Sequence, residues 1–225
     1  LSGDTDGDGT RDIRVVQCVN GETNATAFED LMIMHGTDID DNGGSGLLAD
    51  GASPSFENCW FIENDAPNGG TGASEGGAAI RFQNTTDPVI RNCHFIDNST
   101  DTFGGAIKSN GGTLSVYDSI FTSNFGYDDG GAISTNSQSL LSGCTFEQNQ
   151  AIGNYASAVV CWGSGPSVIE NCEFLENYGA DSTVEISCET TIRDCLFKEN
   201  QDSWVVSAVY GGNDLVIEGC EFSDN

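Results

Sequence analysis

The chain has 225 residues, with 7 Lys and Arg against 35 Asp and Glu, which gives a formal net charge of −28. This charge makes nucleic acid and anionic membrane surfaces unfavourable partners and favours cations. The content of hydrophobic residues, 37% with 12 Phe, is too high for a disordered chain, and no apolar run reaches the roughly 18 to 20 residues of a membrane helix. A folded domain without membrane insertion in this segment is therefore predicted.

Residues 1–14 are predicted to form an acidic entry loop. Its segment DTDGDGTRD places Asp4, Asp6, Asp8 and Asp12 at spacings similar to those of an EF-hand calcium loop, in which a hard cation takes several oxygens from one tight turn. The twelfth position of such a loop is Val15 here and not Glu. Two interpretations stay open, a calcium site and an acidic surface loop that leads into the first strand.

The N-terminal region contains a second acidic segment and begins without a signal peptide pattern. Asp38, Asp40 and Asp41 form a second acidic loop, which is expected to be solvated. The opening residues LSGDTDGDGT do not resemble a signal peptide, so the chain is expected to be a processed protein or an excised piece.

A ten-residue pattern recurs along the chain and sets its architecture. The residues at its Cys position lie 23 to 34 residues apart, which is a solenoid period. The copies are AFEDLMIMHG (27–36), SFENCWFIEN (55–64), VIRNCHFIDN (89–98), SVYDSIFTSN (115–124), LLSGCTFEQN (140–149), VIENCEFLEN (168–177), TIRDCLFKEN (191–200) and VIEGCEFSDN (216–225).

A Phe stands two residues after the Cys position in seven copies, so both side chains share one face of a strand. Stacking of equivalent positions at about 4.8 Å predicts a buried aromatic stack, in which each Phe contributes roughly 1.5 to 3 kcal/mol of burial. Its members are Phe61, Phe95, Phe121, Phe146, Phe174, Phe197 and Phe222.

Two polar positions flank this strand. The residue before the Cys position is always Asn, Asp or Gly, the types that tolerate a left-handed backbone, so a corner is predicted there with the next strand starting at the Cys. An Asn closes seven copies and predicts a hydrogen-bonded amide ladder. The ladder residues are Asn64, Asn98, Asn124, Asn149, Asn177, Asn200 and the final Asn225.

A third strand is predicted upstream of the copies. Gly turns followed by short apolar runs occur at GGAAI (76–80), GGAI (104–107), GGAI (130–133), SAVV (157–160) and SAVY (207–210). Three short strands in about 25 residues fit a triangular coil, whereas a βαβ unit needs about 30 residues and a helical pattern. The predicted fold is all-β, one domain over 1–225, with residues 15–225 forming about eight coils of a single-stranded right-handed parallel β-helix.

The combination of GGAI with F-x-x-N, present here as FIEN, FIDN, FTSN, FEQN, FLEN, FKEN and FSDN, resembles the repeats of polymorphic outer-membrane proteins and related secreted right-handed β-helix proteins. The opening LSGD, a strand and then FEDLMI also look like the first coil of such secreted bacterial proteins. The resemblance covers roughly residues 13 to 225. It implies an extracellular or cell-surface location and an adhesive role.

Catalysis is the competing function, since many β-helix proteins are polysaccharide lyases or hydrolases. The residues that such enzymes require are scarce: His35 and His94 are isolated, G-H-G and R-I-K do not occur, and NTTD (84–87) is a poor match to the N-T-D of the hydrolases. Asp128 and Asp129 are the candidate carboxylates, but adjacent acids after FGY are more typical of a loop.

The three tryptophans are candidate sugar-stacking residues. Trp60, Trp162 and Trp204 are the aromatic side chains that a glycan-binding groove would use, and Trp60 is predicted to point outward because it follows a Cys. A single exposed Trp is more often incidental.

The nine Cys form no C-x-x-C pair, which argues against zinc ribbons and thioredoxin-like redox motifs. Six belong to the inward stack, and Cys161 and Cys188 are predicted on another inward strand. Adjacent coils would bring their Cα atoms within disulfide range, yet side chains in register point the same way. Mostly reduced, packing cysteines are predicted.

Three N-glycosylation sequons begin at Asn24, Asn84 and Asn98. In a eukaryotic protein Asn24 and Asn84 are candidate glycan sites on turns, whereas the repeat assigns Asn98 to the ladder. In a bacterial protein these sequons are expected to be chance matches.

The predicted function is a non-catalytic extracellular structural or adhesive β-solenoid, either a segment of a surface protein or a filament subunit. Its expected partners are further copies of itself, joined end to end or laterally, or cell-surface glycans and proteins, and its only expected cofactor is calcium. The alternative is a polysaccharide-active enzyme or glycan-binding module of the pectate-lyase-like type. In the first case, substitution of Asp128 and Asp129 is expected to change nothing but the charge.

Overall fold

The structure, a computed structural model, describes residues 1–8, 12–37, 42–67, 76–84, 87–153, 155–163, 165–208 and 214–225. These residues form 28 β-strands and no helix, so the all-β prediction is confirmed. Since no helix occurs in these ranges, none of them contains a helical membrane span. The predicted acidic loop at Asp38, Asp40 and Asp41 lies outside the described residues.

Three eight-stranded sheets run along the molecule, and we number them in the order in which the chain visits them. The first sheet contains β1 (Val16–Cys18), β4 (Leu47–Asp50), β8 (Ile80–Gln83), β12 (Ile107–Asn110), β16 (Ile133–Thr135), β20 (Ala156–Cys161), β23 (Ser182–Ile186) and β26 (Trp204–Ala208). The second contains β2 (Ala27–Glu29), β5 (Ser55–Glu57), β9 (Val89–Arg91), β13 (Thr113–Tyr117), β17 (Gln138–Ser142), β21 (Ser167–Glu170), β24 (Thr190–Arg193) and β27 (Leu215–Glu218).

The third sheet carries the Phe positions of the repeat. It contains β3 (Met32–Met34), β6 (Trp60–Ile62), β10 (His94–Ile96), β14 (Ile120–Thr122), β18 (Thr145–Glu147), β22 (Glu173–Leu175), β25 (Leu196–Lys198) and β28 (Glu221–Ser223). A fourth, four-stranded sheet of two-residue strands was not predicted, because two residues are too short for a sequence pattern. It contains β7 (Asp65–Ala66), β11 (Ser99–Thr100), β15 (Phe125–Gly126) and β19 (Gln150–Ala151).

Neighbouring strands in each sheet come from successive coils and pair in parallel, so each coil lies on the one before it. The chain winds through about seven turns of a right-handed β-helix, which confirms the predicted fold and closely matches the predicted eight coils. This stacking buries one continuous core inside the triangle of sheets.

The aromatic stack is present as predicted. Successive rings lie 4.6 to 5.0 Å apart, with interplanar angles of 3 to 10°. The rings from Phe61 to Phe197 are fully buried, and Ile33 takes the same position in the first copy. Phe222 stacks on Phe197 and is 47% exposed on its other side.

The amide ladder is also present. From Asn98 to Asn200, each side-chain amide donates to the oxygen of the next ladder Asn and to the carbonyl of a Phe in the preceding coil. Asn98 Nδ2, for example, donates to Asn124 Oδ1 at 2.9 Å and to Phe61 O at 3.0 Å. Asn64 uses the carbonyl of Ile33 in place of a Phe. Gly36 replaces Asn in the first copy and donates its backbone N–H to Asn64 Oδ1. The ladder therefore satisfies buried backbone groups at every corner.

The corner before the Cys position has the predicted left-handed backbone, for example at Asn58 (φ 52°) and Gly143 (φ 67°). The next strand starts one residue after the Cys and not at it, as β10 does after Cys93. A second left-handed position, directly before each ladder residue, was not predicted. It is occupied by His35, Glu63, Asp97, Ser123, Gln148, Glu176, Glu199 and Asp224. Glu and Gln have no local preference for this conformation, so packing and the amide ladder impose it.

One equivalence in the first sheet was wrong. SAVV (157–160) and SAVY (207–210) were aligned, but the structure pairs Val159 with Val184 and Val184 with Val206, so Ser207 stands level with Val160. The strand of this last coil is WVVSA, and residues 209–210 lie outside the described residues. The irregular pairing of β20 with β23 between Ala156 and Val159 contributes to this offset, so similar sequences in the two coils do not occupy equivalent positions.

All nine cysteines have free thiols in the structure, and eight of them are buried. Cys161 lies on an inward position of β20 as predicted, whereas Cys188 follows β23 and lies in the turn after the strand. Both belong to the hydrophobic core. The predicted packing role of the cysteines is therefore confirmed.

Candidate functional site

In the central strands of the first sheet the outward side chains are buried, although strand alternation directs them away from the core. Arg81, Lys108, Ser134 and Glu185 are each 3% exposed or less. The connections that lead into the strands lie over them: a β-carbon added to Gly77 would stand 3.0 Å from the β-carbon of Lys108. The Gly-rich turns thus form an outer layer that places charged groups in a region of low solvent access.

A cleft of about 340 Å³ opens in this layer. Its walls are three aromatic side chains from two coils, and its floor carries one basic and one acidic residue. The lining residues are Phe103, Lys108, Asp129, Asn136, Tyr155 and Trp162. We call this site the aromatic cleft.

Lys108 lies on β12 directly after a GGAI turn. Its Nζ donates to Ser134 Oγ at 2.9 Å and lies 4.9 Å from the centre of the Phe103 ring, a cation–π contact. Burial lowers the pKa of Lys108 to about 8, while the carboxyl of Asp129 opposes the decrease and Arg81 adds to it. The amine is therefore more easily deprotonated than a surface lysine.

Asp129 precedes the next Gly turn and is 1% exposed. Its Oδ2 accepts a hydrogen bond from Trp162 Nε1 at 3.2 Å, and its Oδ1 accepts none from the described residues. Burial raises the pKa of Asp129, and the Lys108 charge, the Ser134 hydroxyl and the Trp162 indole oppose the rise. Asp128 and Asp129 lie in the connection between β15 and β16, as the prediction of a loop requires, and the outer layer encloses Asp129.

The aromatic walls are held by their own contacts. Tyr155 and Trp162 meet edge to face, with ring centres 4.8 Å apart and an interplanar angle of 79°. Both rings are partly exposed on the cleft side of the fold, as is Phe103. An edge-to-face pair is a favourable aromatic geometry, so the walls are preorganised.

Sequence reasoning had named Asp129 and Trp162 but neither Lys108 nor the cleft. The available signal was a lysine after GGAI at 104–107 in a chain with only 7 basic residues. The repeat pattern did not predict the outer layer. Strand alternation alone predicts that the outward face of this sheet is exposed to solvent.

The predicted calcium loop is only partly assembled. Asp4, Asp6 and Asp8 present oxygens that all lie within 4.8 Å of one another. The carboxylate of Asp12 instead accepts from the backbone N–H and the hydroxyl of Thr5, at 2.9 and 2.6 Å. Those bonds lower the pKa of Asp12, with the Thr5 hydroxyl as the largest cause. The structure therefore brings together three of the four predicted ligands.

The two histidines and the other tryptophans lie away from the aromatic cleft. His35 approaches Glu63 at 3.5 Å, and His94 stacks on Trp60 with ring centres 4.0 Å apart. Trp60 is 40% exposed, as predicted for its outward position, and Trp204 is 66% exposed. These side chains form surface contacts on the third sheet and the last coil.

The sequon asparagines differ in access. Asn24 and Asn84 are exposed, and Asn84 donates to Asp50 Oδ1 at 2.9 Å. Asn98 is fully buried and its amide nitrogen is used twice in the ladder, so it is sterically blocked as a glycan site. Residues 85–86, which complete the Asn84 sequon, lie outside the described residues.

Comparison with known families agrees with this architecture. A family model described as right handed beta helix region matches residues 32–138 and 127–225, which together span most of the chain. Searches of the curated proteins and of the solved structures gave no match. The chain therefore belongs to the right-handed β-helix family.

Proposed function

We propose that this β-solenoid is a non-catalytic structural or adhesive element outside the cell, part of a surface protein or a subunit of a filament. The main support is the unbroken register of the core: the aromatic stack and the amide ladder run from coil to coil without interruption. Such a molecule is a stiff rod, and its length of about 35 to 40 Å follows from the strand spacing. The resemblance of its GGAI and F-x-x-N repeats to those of secreted surface proteins belongs to the same proposal.

End-to-end contact between two copies is the proposed mode of assembly. Within the chain, each coil pairs its strands in parallel with those of the next coil. An end-to-end contact between two copies would use the same edge-to-edge pairing. The proposal includes two other kinds of contact. Copies could meet side by side, and the rod could bind glycans or proteins of the cell surface.

The assembly is tested by negative-stain electron microscopy of the purified chain. Rods that join into filaments with a regular axial repeat would support the proposal. Filament loss in Phe222→Asp, with retention in Tyr127→Asp as an exposed control away from the last coil, would locate the contact. Uniformly single rods at high concentration would contradict end-to-end assembly.

Calcium is the proposed cofactor of the N-terminal loop. Asp4, Asp6 and Asp8 offer three carboxylates of the type that Ca²⁺ prefers, and Gly7 N donates to Asp4 Oδ1 at 2.7 Å, which helps to hold that carboxylate. Titration calorimetry with calcium chloride should give binding that Asp6→Asn weakens by at least about tenfold, since one ligand charge is lost. Asp214→Asn, an exposed acid elsewhere, serves as the control. If Asp6→Asn and Asp214→Asn bind calcium with equal affinity, the proposed calcium site is wrong.

A polysaccharide-active enzyme is the second candidate, and the aromatic cleft is the observation that favours it. Incubation with neutral and acidic polysaccharides, followed by assays for new reducing ends and for unsaturated uronate products, distinguishes the two functions. No product is expected from the non-catalytic rod. Product formation that Asp129→Asn abolishes would establish the enzyme.

A further inference from the structure

We propose that the outward face of the first four strands of the third sheet is a docking surface for a basic amphipathic segment of another protein. This face carries six apolar side chains and one imidazole, and we call it the apolar patch. Its members are Met32, Met34, Trp60, Ile62, His94, Ile96 and Ile120. This docking role rests on the adhesive function proposed above and adds to it a surface and the chemical class of the partner.

The register of β3, β6, β10 and β14 makes the patch continuous. Its side chains form two rows that cross the four strands, because paired residues stand level with one another. The first row is Met32, Trp60, His94 and Ile120, and the second is Met34, Ile62, Ile96 and the polar Thr122. Strands about 4.8 Å apart and rows about 7 Å apart give a patch of about 14 by 7 Å between Cα atoms.

The patch is accessible to solvent and uncharged. Met32 is 46% exposed and Trp60 is 40% exposed, and the other members are half-buried. The Trp60 ring stacks on the His94 ring with an interplanar angle of 16°. Burial lowers the pKa of His94, so this ring is largely neutral at pH 7. The patch therefore offers apolar and aromatic surface without a formal charge.

The remaining four strands of the same sheet show that the fold does not require apolar residues on this face. Their outward positions alternate with the same buried Phe, but four of the eight are charged. These four are Glu147, Glu173, Lys198 and Glu221. The concentration of apolar side chains in the first four strands is thus a property of the surface, and a contiguous apolar surface is typical of an interaction site.

Acidic side chains border the patch on both sides. Asp30 and Asp118 stand at the corners before the strands, and Glu63 and Asp97 stand at the corners after them, all four exposed. The basic Arg91 near this border lies over the ring of Tyr117, with its guanidinium carbon 4.1 Å from the ring centre. A partner with an apolar face between two basic borders would therefore match both the surface and its charge.

The size of the patch selects a short segment and not a second copy of the chain. A second copy would bring the same net charge of −28 and the same acidic borders. The patch is also far smaller than the roughly 800 Å² that each partner buries in a stable dimer. An amphipathic helix fits better, because its apolar residues at i, i+4 and i+7 span about 10 Å along one face.

The test uses the full chain and a labelled synthetic peptide of about 15 residues, long enough to be helical, with Leu along one face and Lys along both borders. Fluorescence anisotropy at about 150 mM salt measures its binding. A scrambled peptide keeps the charge but has no apolar face, and a third peptide has Glu in place of Lys. The first peptide is expected to bind at least tenfold more tightly than the scrambled one, and the third is expected not to bind.

Substitutions locate the contact. Trp60→Ser and Ile96→Ser should each weaken binding of the first peptide tenfold or more, because each removes an apolar contact. Ile152→Ser, at an exposed isoleucine that follows the fourth sheet, should leave binding unchanged. Asp97→Asn should weaken binding by about threefold, as expected for an exposed ion pair, whereas the exposed Asp214→Asn should not weaken it.

Thermal unfolding confirms that each variant is folded, and Trp60→Ser keeps the test valid if Ile96→Ser is unstable. Equal binding of the first and scrambled peptides, or normal binding by the folded patch variants, would overturn the docking surface. A wild-type dimer in analytical ultracentrifugation that Trp60→Ser dissociates would also overturn it, because the occupant would be a second copy. The proposed function fails or holds separately, by the filament microscopy and the polysaccharide product assays.

Discussion

At the scale of single residues, the ladder asparagines show why one side-chain type recurs at one position. Asn149 Oδ1 accepts from both the backbone and the side chain of Asn124, and its Nδ2 donates to Phe121 O and Asn177 Oδ1, at 2.9 to 3.0 Å. All these groups are buried. An amide is the only neutral side chain that can donate and accept in this way from one corner.

Replacement of Asn149 by Ala should therefore be strongly destabilising. The Asn124 N–H and the Phe121 carbonyl would lose their partners in the core, and each unsatisfied group costs about 1 to 3 kcal/mol. Urea unfolding should show a loss of at least about 2 kcal/mol. Asn20→Ala, at an exposed turn, should be nearly neutral. Similar unfolding midpoints for the two variants would argue against the ladder as a source of stability.

Glu185 provides a residue-scale prediction about pH. Burial raises its pKa to about 7, with Asp129 and Asp181 adding to the rise and Ser207 opposing it. In the folded chain this carboxyl keeps its proton between about pH 4.5 and 7, where the unfolded chain has lost it. The folded state binds more protons in this range, so the Glu185 contribution to stability falls as the pH rises through it and then levels off.

The difference in unfolding free energy between the wild type and Glu185→Gln isolates this effect. It should grow from about pH 4.5 to 7 in favour of the variant, by up to about 3 kcal/mol. Glu221→Gln, at an exposed position, should give a difference that hardly changes over the same range. A pH-independent difference for Glu185→Gln would show that the carboxyl is not buried in solution.

At the scale of elements, the Gly-Gly turns determine how closely successive coils approach. The first glycine of the pair has a left-handed backbone, as at Gly130 (φ 56°). The second has no room for a side chain, since a β-carbon on Gly131 would stand 2.1 Å from the carbonyl oxygen of Ser157 in the next coil. The two positions thus require glycine for different reasons. The first needs a left-handed backbone, and the second has no space for a side chain.

Gly131→Ala should accordingly disrupt the stacking of these coils. The clash is with backbone and cannot be relieved by a side-chain rotation, so a loss of about 3 kcal/mol or more is expected in thermal or urea unfolding. Gly51→Asn is the matched control, because Gly51 is left-handed (φ 63°) but has no atom within 4 Å of an added β-carbon. Equal tolerance of both substitutions would mean that the turns are looser than the structure indicates.

At the scale of the whole molecule, the excess of acidic groups opposes the compact rod. The formal net charge is −28, so the acidic side chains repel one another in the folded chain. Burial of the core must offset this repulsion. Salt screens it: the Debye length falls from about 30 Å at 10 mM to about 8 Å at 150 mM.

The melting temperature should therefore rise when sodium chloride is increased from about 10 to about 150 mM at pH 7. The rise should shrink near pH 4, where many carboxylates are protonated. Scanning calorimetry with a chelator present separates this general screening from any binding of calcium. A melting temperature that stays constant or falls with salt would show that the surface charges are already balanced by local contacts.

The sequence alone determined the fold, since its signals are local and repeated. Each repeated residue contacts the equivalent residue of the next coil. This holds for Phe in the strand, for Asn at the corner and for Gly before the strand, so the period of the repeat predicts their contacts. Exposure of Trp60 and burial of the cysteines followed from strand alternation. The second left-handed corner at residues such as Glu63 was missed because the residue type there has no local preference for it.

Only the tertiary structure decided the site. The aromatic cleft joins Phe103, Lys108, Asp129, Tyr155 and Trp162 from different coils, through turns whose lengths differ from copy to copy. Lys108 and Asp129 are buried because an outer layer of turns lies over the outward face of the first sheet. No position of the repeat predicts this layer. The register shift at Ser207 and the bonds between Asp12 and Thr5 have the same origin. A periodic pattern fixes contacts between equivalent positions, whereas contacts between non-equivalent positions depend on where the irregular turns place them.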